Sequence, residues 1–364
     1  MKKLGIKELK KKVEKIRSET PENKRNVITF SRNFTLSLSN YCRNECSYCY
    51  YNQRIPKKGE QKTRILIKDD KVKELISKGV NYNCKESLIM SGEKPDTFPI
   101  VLERLKERGF QSFIEFVHYI CKQVMKHNIL PHINIGTLSF KELKELKPVN
   151  ASMGLMLESS CNKLYKKGGV HEKSPGKDPK KRFEHIENAG KLKIPFTTGL
   201  LLGIGESQED RIKDLLLVKG FHEKYEHIQE VILQNFEEKP TIPYNPRKEE
   251  KYNMKDMLRL VGIAKVLFKN EIAIQVPPNL TAGYEKNFLE LGVDDFGGIS
   301  PITKDYINPN KKWPQEKYLE KICKRTGFKL KERLAIYPKY ITKRGFCPDQ
   351  IKTIIKKIDL DVGN

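Results

Sequence analysis

Cys42, Cys46 and Cys49 stand in the spacing Cys-x3-Cys-x2-Cys, with the aromatic Tyr48 directly before the last of them. Three thiolates on one short loop can each bind one iron of a cubane [4Fe–4S] cluster and leave the fourth iron open to a small molecule. For a chain of 364 residues with 8 cysteines, three at these offsets arise by chance roughly 0.004 times. A structural zinc site is the alternative, but it wants four Cys or His ligands, usually on two knuckles, and no second knuckle follows. Disulfides fit less well, because the stretch Met1 to Arg17 is studded with lysine rather than apolar and does not read as a signal peptide. The expected compartment is a reducing cytoplasm. Cys84, Cys121, Cys161, Cys323 and Cys347 lack ligand spacing and read as ordinary buried thiols.

The elements that must position such a loop alternate short β-type runs with longer amphipathic stretches, the pattern of a parallel sheet with crossover helices. An α/β barrel is the natural candidate, and the length suits one such domain or two ordinary ones. Strand-like runs cover Phe34 to Ser39, Glu86 to Met90, Leu130 to Ile135, Ala151 to Leu157, Phe196 to Leu202, Ile228 to Gln234, Ile272 to Val276 and Val293 to Phe296. Helical stretches cover Phe98 to Lys126, Phe140 to Leu146, Pro179 to Ala189, Gln208 to Lys224, Met254 to Phe268 and Ala282 to Leu289. Ile6 to Arg17 places Leu9, Val13 and Ile16 at helical spacing and reads as an outer helix. Beyond Lys311, helical runs near Tyr318 to Lys324 and Gln350 to Ile358 are expected, with Pro338 and Pro348 breaking them. The expected division is an N-terminal helical segment (1–27), a barrel (28–310) and a C-terminal helical extension packed on it (311–364).

Lys+Arg 70 against Asp+Glu 46 gives a formal charge of +24. The excess is spread along the chain without aromatic interleaving, so it reads as a solvated surface rather than a nucleic-acid face. No run approaches the roughly 18 apolar residues of a membrane span.

In α/β barrels the working residues gather at the C-terminal ends of the strands. The first exit delivers the cysteine loop. The second reads Ser91-Gly92-Glu93, where a glycine beside a carboxylate suits a ligand's ammonium, with a solvated turn acid as the alternative. The fourth offers Glu158, either an acceptor for ribose hydroxyls or a helix-start acid. Arg182, on the helix that follows, is either a fork for a ligand carboxylate or a surface charge. The fifth reads Gly199-Leu200-Leu201-Leu202-Gly203-Ile204-Gly205-Glu206, whose glycines permit close approach to a flat ring that Leu201 can face. Gln234 and Asn235 at the sixth exit, and Gln275 and Asn279 at the seventh, either read the imide edge of a heterocycle or satisfy the barrel backbone. His132 and Asn134, on the third strand, are further candidates for substrate contact, a core histidine being the alternative for His132.

Together the three-cysteine loop, the Gly-Glu turn and the Gly-x-Leu-x-Gly-x-x-Glu run resemble the radical S-adenosylmethionine (SAM) superfamily. Within it, the segments Val149 to Glu158, Ile194 to Gly199, His227 to Ile232, Gln234 to Phe236 and Phe296 to Pro301 resemble the family of 7,8-didemethyl-8-hydroxy-5-deazariboflavin synthases, cyclising subunit. The similarity runs from about Ile28 to Pro314. Tyr50-Tyr51 and His132-Ile133-Asn134-Ile135-Gly136 depart from that family's usual pattern.

The resemblance implies a radical SAM (βα) TIM-type barrel, complete or nearly so, with Cys42, Cys46 and Cys49 on a [4Fe–4S] cluster and S-adenosyl-L-methionine on its open iron. Tyr48, Ser91, Gly92, Glu93, Glu158, Arg182, Gly199, Leu201, Gly203 and Glu206 are the implied cofactor contacts. The implied reaction generates a 5′-deoxyadenosyl radical and cyclises a tyrosine–ribitylaminouracil adduct to a deazaflavin, with loss of ammonia, in coenzyme F(420) biosynthesis. It further implies a companion radical SAM synthase acting in trans and an electron donor such as ferredoxin or flavodoxin. The rivals are a sibling radical enzyme, including the tyrosine-joining companion itself, and an RNA-directed protein.

Overall fold

Eight strands follow one another in parallel: β1 (Val27–Ser37), β2 (Glu86–Met90), β3 (Leu130–Asn134), β4 (Ser152–Gly154), β5 (Phe196–Leu202), β6 (Ile228–Asn235), β7 (Ala273–Gln275) and β8 (Asp295–Ile299). β1 pairs with both β2 and β8 and so closes the sheet into a barrel. The structure, a computed structural model, describes residues 4–22, 24–52, 64–239, 242–246 and 252–358.

Crossovers are made by α2 (Asp69–Asn81), α3 (Pro99–Glu107), α4 (Phe113–Met125), α5 (Phe140–Leu146), α6 (Pro179–Lys191), α7 (Gln208–Tyr225), α8 (Met254–Phe268) and α9 (Glu285–Glu290). Local chemistry sets several starts. Ser139 with Glu142, and Ser207 with Asp210, form reciprocal capping boxes that satisfy the first free N–H groups of α5 and α7. The outer faces of the strands and inner faces of the helices share one apolar core that includes Phe34, Phe116, Phe196, Phe268 and Phe296. α1 (Ile6–Ser18) lies on the outer ring, where Leu9 fits against Gly262 of α8 and Arg17 donates to the Leu289 carbonyl.

Several boundaries differ from the sequence expectation. β1 starts at Val27 rather than Phe34, because its inward positions Ser31, Asn33 and Thr35 are polar and mask the strand signal. The single helix expected over 98–126 is two, broken at Gly109, which has φ 82°, and restarted by the Ser112 cap on α4. α2 forms over a stretch where the sequence reading places no element. Pro338 and Pro348 begin helices rather than break them: Pro338 opens α11 (Pro338–Thr342), and Pro348 is the N-cap of α12 (Asp349–Ile355).

After α10 (Glu316–Arg325), a ninth strand, β9 (Lys329–Glu332), pairs in parallel with Val27 to Phe30 of β1, below the point where β2 begins. The chain then turns under the barrel. Leu334, Ala335, Ile336, Tyr340, Phe346, Ile351 and Ile354 form a second apolar cluster with Leu130 and Ala151, at the N-terminal ends of β3 and β4. Arg333 points inward between two buried carboxylates, 2.8 Å from Glu230 and 2.5 Å from Asp295. The C-terminal segment is therefore the floor of the barrel. Among the described residues no helix is long and apolar enough to cross a membrane.

Candidate active site

A cavity of about 390 Å³ runs down the barrel from the cysteine loop to Arg333 and Ala335, within the size range of small-molecule sites. Because side chains alternate along a strand, its wall collects every second residue: Asn33 and Thr35, Glu86 and Leu88, His132 and Asn134, Glu230 and Gln234. Amides, hydroxyls and carboxyls thus stand among apolar side chains such as Leu155 and Ile232, where an ordinary barrel interior is filled with branched apolar residues.

Cys42, Cys46 and Cys49 all line the upper end. The loop is held from behind by the segment after β4, through Glu45 N–H to the Lys173 carbonyl and Ser47 N–H to the Val170 carbonyl, both 3.1 Å. The N–H groups of Glu93 (3.2 Å) and Asn44 (3.4 Å) donate to Cys42 Sγ, and Ser174 Oγ lies 3.3 Å from Cys46 Sγ. Burial pushes the Cys42 thiol up to about 12 and Cys46 upward as well. Iron bound here would supply the positive charge that favours their thiolate form. Among the described residues no three His, Cys, Asp or Glu side chains converge as they would around a single ion. A cubane does not need that convergence, since each thiolate takes a different iron, and the residues present fit such a cluster.

Tyr48 is half-buried, with its hydroxyl 2.9 Å from His171 Nε2 and its ring edge-on to Phe236. Gly92 sits where a Cβ would come 2.0 Å from the Tyr41 carbonyl, so the turn beside the cysteine loop admits no side chain. Ser91 Oγ donates to the Ser39 carbonyl at 3.2 Å. Glu93 is engaged by Arg43 at 2.7 Å and by the Thr137 N–H at 3.0 Å. Burial raises its carboxyl, but Arg182, the Thr137 N–H and Arg43 together hold it below the usual range. Glu158 has φ 64° and pairs with Lys177. Arg182 is 2 % exposed and donates to the carbonyls of Gly176 and Met156, and it has no ion-pair partner among the described residues. Tyr48, Ser91, Gly92, Glu93, Glu158 and Arg182 all border the cavity, as do Leu201, Gln234, Asn235, Gln275 and Asn279.

Gly199, Gly203 and Glu206 do not line it. A Cβ on Gly199 would meet the Ile232 carbonyl at 2.4 Å and Met156 Cε at 2.6 Å, so this glycine serves strand packing. Gly203, with φ 92°, forms the turn after β5. Glu206 ties that turn to itself through the N–H groups of Gly203 (2.7 Å) and Ile204 (2.8 Å) and pairs with Arg211. Residues that carry no motif or spacing to single them out also border the cavity: Asn44, Lys177, Lys239, Asp305 and, at the floor, Arg333. Asp305 accepts from Asn279 at 3.0 Å and Asn308 at 3.1 Å. Only proximity in space distinguishes these from the many other polar residues of the chain.

Residues 36–218 match the family described as the Radical SAM superfamily. A 7,8-didemethyl-8-hydroxy-5-deazariboflavin synthase of Methanococcus maripaludis (strain S2) is 46% identical over 324 residues, covering 88% of this chain and 94% of its own. The same-named protein of Methanocaldococcus jannaschii is 45% identical over 321 residues, 88% of this chain and 86% of its own. That of Methanopyrus kandleri is 39% identical over 339 residues, 93% and 99%. Among solved structures, HydG, a maturase of the [FeFe]-hydrogenase, superimposes with TM-score 0.72 at 16% identity, over 96% of this chain and 73% of that one. Methylornithine synthase (PylB) gives 0.66 at 17%, over 89% of each. At these identities the two structures speak for the barrel alone.

Proposed function

The chain belongs to the 7,8-didemethyl-8-hydroxy-5-deazariboflavin synthase family of the radical SAM superfamily, and we propose that it carries out that family's ring closure. The substrate is the adduct 5-amino-5-(4-hydroxybenzyl)-6-(D-ribitylimino)-5,6-dihydrouracil, and the product is the deazaflavin with ammonia released, a step toward coenzyme F(420). A [4Fe–4S] cluster and S-adenosylmethionine are the cofactors, and when bound they supply a 5′-deoxyadenosyl radical.

The chain's own residues bind, orient and exclude water. Cys42, Cys46 and Cys49 hold the cluster, one iron each. Arg182, a buried cation whose described bonds go only to carbonyls, receives the carboxylate of the methionine moiety. Leu201 faces the adenine, and the Ser91-Gly92 turn passes close enough for main-chain contact. Asn134, Gln234, Asn235, Gln275 and Asn279 present amides to the uracil and ribityl groups, each able to donate and accept. Tyr48 and Phe236 shield the upper end from solvent.

The observation that supports this reading best is the juxtaposition of three thiols with a deep chamber below them, lined by amides and carboxyls among apolar side chains. Only one three-cysteine loop is present, which supports one half-reaction, with a companion radical enzyme supplying the adduct and a ferredoxin- or flavodoxin-type donor supplying the electron. Anaerobically reconstituted protein given the adduct, S-adenosylmethionine and a reductant should form the fluorescent deazaflavin and one ammonia per turnover. Consumption of tyrosine with no fluorescence would reverse the assignment in favour of the companion activity.

A further inference from the structure

Midway down the chamber one hydrogen-bond chain has a fixed direction. Ser152 Oγ lies 2.6 Å from the Ala335 carbonyl oxygen, which can only accept, so the single hydroxyl proton of Ser152 points there. The same Oγ lies 2.6 Å from His132 Nδ1. Having no second proton to give, it accepts, and Nδ1 carries the hydrogen. Burial lowers the affinity of this imidazole for a second proton, against the opposing charge of Glu86 and with a smaller contribution from Arg333. The ring is neutral, and Nε2 bears an unshared pair.

Nε2 faces open space. It has no hydrogen-bond partner among the described residues and lies beside the Asn134 amide, at a point where Gly154 leaves room. A Cβ on Gly154 would stand 2.9 Å from Nε2 and 3.2 Å from Asn134 Nδ2. Below and around it the wall carries Glu86, Thr197, Gln229, Gln275 and Arg333, a mixture of donors and acceptors that matches a polyol better than a flat ring.

We propose that the lower chamber holds the ribityl chain, and that His132 Nε2 is a fixed acceptor for one of its hydroxyls, oriented by Ser152 and by the Ala335 carbonyl of the C-terminal segment. This rests on the ring-closing function proposed above. His132 is then a substrate-binding residue, and Ser152 a positioning residue that acts through it. A lone pair in that place selects a donor and rejects a group that can only accept.

Two measurements test this separately. In anaerobic full-length protein labelled with 15N-histidine, the His132 ring, assigned by its loss in His132→Gln, should show a protonated Nδ1 and an unprotonated Nε2. Ser152→Ala should shift it toward the other tautomer, and a wild-type ring protonated at Nε2 would overturn the proposal. With substrate, His132→Phe should raise KM for the adduct about ten- to hundredfold, and His132→Gln, which keeps an acceptor oxygen, should recover most of that. An adduct lacking ribityl hydroxyls should show little difference between wild type and His132→Phe. Unchanged KM in His132→Phe, or a Gln variant as impaired as Phe, overturns the contact. A wild-type protein that leaves the adduct untouched would instead overturn the function, and the tautomer measurement, which needs no substrate, still decides the imidazole.

Discussion

Glu230→Gln should flatten the dependence of stability on pH, and the floor of the barrel gives the size of the effect. Glu230 and Asp295 share one cation, Arg333, and the side chains of the two acids are 4 % and 0 % exposed. Burial, aided by the negative charge of Asp295, pushes the Glu230 carboxyl up to about 8 despite Arg333. An unfolded glutamate titrates near 4.3. Because the folded value is the higher one, the stabilisation is fully present below the unfolded value and is lost as pH rises toward 8. Each pH unit in that window is worth about 1.4 kcal/mol, so wild type should lose about 3 to 4 kcal/mol relative to Glu230→Gln between pH 5 and pH 8. Glutamine suits the site sterically and can accept from Arg333 and the Tyr337 hydroxyl as Glu230 does, at 2.8 and 3.1 Å. The assay is urea unfolding of the apo protein at half-unit pH intervals, compared as a difference so that titrations shared by both proteins cancel. Parallel curves for the two proteins would refute the claim that Glu230 folds with its proton.

Cys46→Ala should abolish the brown colour of the reconstituted protein and all 5′-deoxyadenosine formation; retained iron with retained cleavage would remove Cys46 from the ligand set. Arg182→Met should weaken S-adenosylmethionine binding to the cluster-loaded protein at least tenfold, measured by calorimetric titration, since a desolvated charged contact is worth about 1.5–3 kcal/mol; unchanged affinity would make Arg182 a tie between two carbonyls and no more. Gly199→Ala should destabilise by about 1–3 kcal/mol, because the new methyl meets the backbone of β6 at 2.4 Å, and thermal unfolding that matches wild type would show that the strands yield at no cost.

How much the sequence disclosed follows from which patterns are local. β2 and β5 appear at their expected bounds, Glu86–Met90 and Phe196–Leu202, as do α5 and α8, since each is a short run with clear flanking breaks or caps. The cysteine loop was equally legible, being written in contiguous spacing. The start of β1 was hidden because a barrel that encloses a polar chamber needs Ser31, Asn33 and Thr35 on its inner face, and these read as loop. β9, with the pattern Lys-Leu-Lys-Glu, carries too little apolar character to announce itself, and its partner lies three hundred residues away in β1. The role of Arg333 is of the same kind: nothing near it in sequence distinguishes it from the other basic residues, and Glu230 and Asp295 find it only after the chain has folded back. Glycines were legible as positions but not as purposes, since Gly199 and Gly92 both answer to neighbouring carbonyls that only the fold brings close.

That the chamber's base is supplied by Arg333 to Tyr337 has a bearing on biosynthesis of the protein itself. A ribosome makes β1 through β8 before it reaches these residues, so a nascent barrel can assemble its sheet and its thiol loop while its lower end is still open to water. An iron cluster could then be inserted early, yet enclosure of a reactive intermediate would wait for the last segment to dock. Premature termination would leave Glu230 and Asp295 without their shared cation and the chamber without its base.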